Sequence, residues 1–144
     1  MSERTILFVD DEEKILKSLE RGLLDETYHT LFATSGKEAL EILEQEEVHV
    51  IVTDMRMPEM SGIDLLRIVK EKYPHIVRLV LSGYTQVGTL LTAINQGEIY
   101  KFLTKPWKLD EEFKVVIQEA LDHYEAQHGQ AQPEAEPASS PSGD

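Results

Sequence analysis

The chain has 144 residues, 27 acidic against 14 basic, and a formal net charge of −13. At 41% apolar and 28% charged residues it can bury the core of one globular domain, while its charge disfavours nonspecific contact with nucleic acid or an anionic membrane surface. The absence of cysteine excludes disulfide frameworks, thiolate zinc sites and cysteine nucleophiles, and no apolar run approaches the roughly 20 residues of a membrane span.

In chain order, Met1-Ser2-Glu3-Arg4 lacks the basic start and apolar stretch of a signal peptide, so a cytoplasmic location is expected. Thr5 to Val9 is a continuous apolar run ending in acids, the pattern of a strand buried on both faces. Residues 12–24 put Ile15, Leu16, Leu19 and Leu23 on one helical face. Tyr28 to Ala33 alternates as a strand. Ser35 and Glu38 then form a capping box that opens a helix carrying Ala39, Leu40 and Leu43 inward. Val48 to Thr53 is a second buried strand, stopping at Asp54. Ile63, Leu65, Leu66 and Val69 mark a helix that ends before Pro74. Val77 to Leu81 is the next strand, with Arg78 its one polar interruption. Residues 85–96 form a helix with Val87, Leu90, Leu91 and Ile94 on one side, stopped by Gly97. Ile99 to Leu103 is the last strand, and Phe113, Val116, Ile117, Ala120, Leu121 and Tyr124 mark a final amphipathic helix. Residues 126–144 hold three of the six prolines and no Leu, Ile, Val or aromatic residue. They are expected to be a flexible tail, or the start of a linker, after a folded domain of residues 1–125.

Five strands alternate with five helices through short connections. Such alternation forces parallel pairing and covers both sheet faces with helices, giving a doubly wound three-layer α/β domain. Ligands of such sheets sit beyond the carboxyl ends of the strands. Those positions carry Asp10, Asp11 and Glu12 after the first strand, Asp54 after the third, Ser82 and Gly83 after the fourth, and Thr104, Lys105 and Pro106 after the fifth. Three carboxylates, a hydroxyl and an ammonium group converge at one end. The mutual repulsion of Asp10, Asp11 and Asp54 calls for a hard, oxygen-preferring cation, and a site of few carboxylates suits Mg²⁺. With Lys105 and a hydroxyl opposite, one carboxylate would sit in a cradle for a tetrahedral dianion. A carboxylate can itself accept a phosphoryl group. Taken singly, each residue has a plainer explanation: an Asp after a strand caps helices, and Ser-Gly marks a turn. The five histidines show no ligand spacing, and Met55, Met57 and Met60 read as packing residues.

Val9-Asp10-Asp11-Glu12, Val52 to Pro58, Ser61-Gly62, Leu81-Ser82-Gly83 and Thr104-Lys105-Pro106 together resemble the motif set of response-regulator receiver domains of bacterial two-component systems. The likeness covers residues 5–124 in order and spacing. It implies a flavodoxin-like sheet of strand order 2-1-3-4-5, and it implies roles. Asp54 would be the phosphoacceptor. Asp11, Asp54 and the backbone carbonyl of Arg56 would bind Mg²⁺ directly, with Asp10 acting mostly through water. Ser82 and Lys105 would each hold a phosphoryl oxygen, and the Lys105–Pro106 bond would be cis. Phe102 would be the aromatic switch residue, and the output face would comprise the last two helices and the strand between them. The partners implied are a sensor histidine kinase or phosphotransfer protein, a C-terminal effector domain, and a second receiver in a homodimer, with no nucleic acid or membrane contact by the domain itself. The stretch from Ser82 to Trp107 more closely resembles receivers joined to large effectors such as transcriptional activators and cyclic-dinucleotide phosphodiesterases. The domain would be no enzyme beyond accepting and losing its own phosphoryl group. Two alternatives are a pseudo-receiver that takes no phosphate and a phosphoaspartyl hydrolase. The intact acid set, Ser82 and Lys105 speak against the first. Met55 and Arg56 speak against the second, because a second acid is expected two residues after the nucleophile.

Overall fold

The structure is a computed structural model that describes residues 3–83, 87–97, 99–104 and 111–127. Its strands are β1 (Thr5–Val9), β2 (His29–Ala33), β3 (Val50–Asp54), β4 (Val77–Ser82) and β5 (Lys101–Thr104). They alternate with α1 (Glu13–Gly22), α2 (Gly36–Gln45), α3 (Gly62–Lys72), α4 (Val87–Asn95) and α5 (Glu111–Gln127). All pairings are parallel, in the order β2-β1-β3-β4-β5. The expected doubly wound fold is therefore the observed one.

The period-2 alternation of each strand divides the core in two. Ile6, Phe8, Val50, Val52, Leu79 and Leu81 point to one face, where α1 and α5 cover them with Leu16, Leu19, Phe113, Ile117 and Leu121. Leu7, Val9, Ile51 and Val80 point to the other, beneath Ala39 and Leu43 of α2, Leu65, Leu66 and Val69 of α3, and Ala93 of α4. β3 is buried along its whole length, so the sheet centre is dry and its polar residues gather at the strand ends.

Several boundaries move. The first helix ends at Gly22 rather than residue 24, with Leu23 as its cap residue, still buried. Ser35 does cap α2 by accepting from the Glu38 N–H at 3.1 Å, but the Glu38 carboxylate reaches one residue further back, to the Thr34 N–H at 2.7 Å. Leu91, expected on the inward face of α4, is 50% exposed, whereas Ala93 is buried in the second core cluster and Ile94, as expected, packs against it. α5 continues to Gln127, two residues past the expected domain end at 125.

Candidate functional site

The register of the sheet assembles the site. Asp54 is the last residue of β3 and pairs with Leu81, which puts Ser82 one step further along the neighbouring strand. Asp10 follows β1 directly, and Val9 pairs with Thr53. Asp10, Asp11 and Asp54 each offer a carboxylate oxygen within 4.8 Å of the others, in a group of three that could hold a metal ion. Asp10 and Asp54 are buried and Asp11 is exposed. The set therefore opens to solvent on the Asp11 side and is backed by protein on the other.

Local bonds fix each group. Asp10 donates its backbone N–H to Ala33 at 3.1 Å and accepts from the Glu12 N–H through Oδ1 at 2.9 Å. One of its oxygens is thus engaged in turning the chain into α1. Asp54 is held through its backbone. The fully buried Thr53 hydroxyl donates to the Asp54 carbonyl at 3.0 Å. A Cβ placed on Gly62 would lie 2.0 Å from the same carbonyl, and the Gly62 N–H donates to the Met55 carbonyl at 2.8 Å. The first residue of α3 must therefore be glycine, because the helix starts against the backbone of β3. Ser61 caps that helix by accepting from the Asp64 N–H at 3.1 Å. Between them the β3–α3 loop carries Glu59 at φ 71°, a left-handed conformation unusual for a residue with a Cβ. Arg56, exposed in that loop, follows Asp54 by two residues.

Ser82 is 2% exposed, and its hydroxyl has no hydrogen-bond partner among the described residues. A buried hydroxyl left so carries a desolvation cost. A ligand oxygen at the carboxyl end of the sheet would relieve it. Three close carboxylates suit a hard divalent cation by donor type, and the waiting hydroxyl suits an anionic ligand beside that cation. The donor set thus fits Mg²⁺ together with a phosphoryl group.

Phe102 lies in β5, pairs with Val80 and is half-buried against the second core cluster. Lys105 and the Lys105–Pro106 bond lie outside the described residues. Thr53 and Gly62 stand in the motif set quoted above but carry no role there; the structure makes them positioning residues. A glycine directly after a Ser N-cap, where a better helix former is the ordinary choice, was the available signal. Met55, Met57 and Met60 are core or loop packing as expected, with the Met60 sulfur 2.6 Å from where a Cβ on Gly36 would fall. His49, given no role, is buried and satisfied. Its Nδ1 accepts from the Thr5 N–H at 3.0 Å, and burial lowers its pKa.

Comparison with known proteins agrees with this geometry. The response regulator receiver domain family matches residues 6–117. The chain is 41% identical over 106 residues to the hydrogenase transcriptional regulatory protein HoxA of Cupriavidus necator, covering 74% of this chain and 22% of that protein. The signal receiver domain of an HD domain-containing protein from Pseudomonas fluorescens superposes with a TM-score of 0.81 at 34% identity, covering 87% of this chain and 99% of that one. The beryllofluoride-activated NtrC4 receiver domain dimer superposes at 0.75 with 37% identity, covering 83% and 98%. The chain spans about a quarter of the length of the curated relatives it matches. In motif order, sheet topology and overall similarity alike, the chain belongs to the response regulator receiver domains, modules of phosphorylation-dependent signalling.

Proposed function

We propose that Asp54 is the phosphoacceptor, that Asp10, Asp11, Asp54 and the Arg56 backbone carbonyl hold Mg²⁺, and that Ser82 and Lys105 bind the phosphoryl oxygens. The observation that carries this is a buried carboxylate on the central strand beside a buried hydroxyl one step along the next strand that has no partner among the described residues. An oxygen of Asp54 attacks phosphorus in line as the donor's P–N bond, on a sensor kinase or phosphotransfer protein histidine, breaks. Mg²⁺, when bound, offsets charge on the phosphoryl oxygens. Thr53 and Gly62 keep the Asp54 backbone from shifting during the attack. The new phosphoryl oxygen then accepts a hydrogen bond from Ser82 and an ion pair from Lys105, which draws the loop after β4 inward. Phe102, half-buried beforehand, completes its burial in the space so opened. Since phenylalanine has no hydroxyl to satisfy, its inward state needs no polar partner. The altered face of α4, β5 and α5 addresses an effector domain or a second receiver, the full-length context that the longer HoxA relatives support.

Calorimetric titration tests the assignment. Wild-type protein should bind one Mg²⁺, and Asp11→Ala none while still folding. Ser82→Ala should bind Mg²⁺ as wild type does yet take up beryllofluoride, a mimic of the acyl phosphate, far more weakly. Equal beryllofluoride affinity in wild type and Ser82→Ala would remove Ser82 from the site.

A further inference from the structure

The C-terminal end of α4 is tied to two other elements. Beyond its last residue, Asn95, the chain turns through Gln96 and Gly97, the latter at φ 76°. α4 has no basic residue in its own last turn. Cations from two other elements supply the missing charge. Lys70 of α3 donates to the Gln96 carbonyl at 3.1 Å, and Arg78 of β4 donates through Nη2 to the Gly97 carbonyl at 3.1 Å. The same guanidinium donates through Nη1 to Ile76 at 3.1 Å, and the Arg78 carbonyl accepts from the Tyr100 N–H at 2.7 Å. The one polar residue interrupting the β4 run thus ties the α3–β4 and α4–β5 connections to each other. Two cations on carbonyls at a helix C-terminus also complement its dipole. The Gly97 end of α4 is thus clamped.

We propose that Arg78 and Lys70 are positioning residues that make the Gln96–Gly97 turn the fixed end of α4, so that a pull on the loop after Ser82 swings the helix as a lever. This rests on the assignment of Asp54 and Ser82 above. The swing is greatest near Gly88, small at Gly97, and carries the exposed Leu91 across the surface. Without the clamp, the pull is spent in loosening the turn and α4 moves as a whole.

The test is amide exchange along α4, with and without Mg²⁺ and beryllofluoride, in wild type and in the double variant Arg78→Met, Lys70→Met. Wild type should change over the first turns of α4 and stay unaltered at Ile94 to Gly97. The double variant should bind beryllofluoride with wild-type affinity but show the change extending through Gly97. Because Arg78→Met strips several carbonyls of a donor, Lys70→Met alone, at an exposed position, is run beside it and should extend the change to Gln96. Arg78→Lys with Lys70→Arg keeps both charges and should restore the wild-type gradient. The same gradient in wild type, Lys70→Met and the double variant overturns the anchor, as does a wild-type change as large at Gly97 as at Gly88. Wild-type protein that takes up no beryllofluoride overturns the Asp54 assignment with it, whereas normal uptake with a flat profile strikes the anchor alone.

Discussion

Ser82 and Tyr28 both bury a hydroxyl that finds no partner among the described residues, yet their surroundings give the two different meanings. Ser82 stands at the carboxyl end of β4, one register step from Asp54, where a phosphoryl oxygen would accept from it. Tyr28 lies in the core cluster of α1 and α5 with no ligand position near it, and burial pushes its phenol well above the ordinary value. Tyr28→Phe keeps the packing and removes the unsatisfied group, so it should raise the unfolding free energy by about 1 kcal/mol, read from the urea midpoint. An unchanged or lowered midpoint would mean the hydroxyl is satisfied in solution. Gly62→Ala should act the opposite way. Its Cβ would collide with the Asp54 carbonyl, so it should cost at least about 2 kcal/mol and slow acceptance of phosphate in the molecules that still fold. The acids of the site were legible in the sequence because they follow strands whose apolar runs are unmistakable. The positioning parts of Thr53 and Gly62, though both stand in the motif set, were not, because one is a hydroxyl bond to the next residue's carbonyl and the other a backbone approach between β3 and α3, and no spacing rule encodes either.

Among the secondary elements, the strands could be located from sequence to within two residues, since a parallel sheet buried on both faces admits few polar residues and each interruption is visible. Helix faces were harder. Periodicity put Leu91 inward beside Ile94, but among the described side chains of α4 it is Ala93 and Ile94 that meet the core, and hydrophobicity alone does not separate these from an exposed Leu91. The lower ends of β1 and β3 supply a further prediction. His49 accepts the Thr5 N–H at 3.0 Å and meets the Tyr124 ring of α5 edge-on at 5.0 Å. Arg4 lies over that ring and pairs with Glu125, and Glu47 faces His49 Nε2 at 3.7 Å. Burial, the largest influence, keeps the folded imidazole neutral below its ordinary range, with Arg4 and His75 acting the same way and Glu47 and Glu125 opposing. The unfolded chain binds the proton first as pH falls through about 6.5, so this contribution to stability is present above that pH and lost below it. Urea midpoints at pH 7.5 and 5.5 should therefore differ more in wild type than in His49→Gln. An equal difference in the two proteins would show that His49 titrates alike in both states.

For the molecule as a whole, the twofold excess of acidic over basic residues sets the terms on which it works. A net charge of −13 disfavours sequence-independent binding to nucleic acid, and among the described residues no helix is long and apolar enough to cross a membrane. The sheet gathers three of its carboxylates at one end, and α5 continues unbroken to Gln127 at the other. The route proposed above, through β4, α4 and β5, would carry chemistry at the first end to whatever is attached beyond α5. Every step of that route presupposes that Asp54, and no other carboxylate, takes the phosphoryl group. The most direct check is intact mass after incubation with acetyl phosphate. With Mg²⁺, wild-type protein should gain one phosphoryl group, and it should gain none when the metal is chelated or when Asp54 is replaced by Asn. Labelling of Asp54→Asn at the wild-type rate, or of wild type without Mg²⁺, would contradict the account.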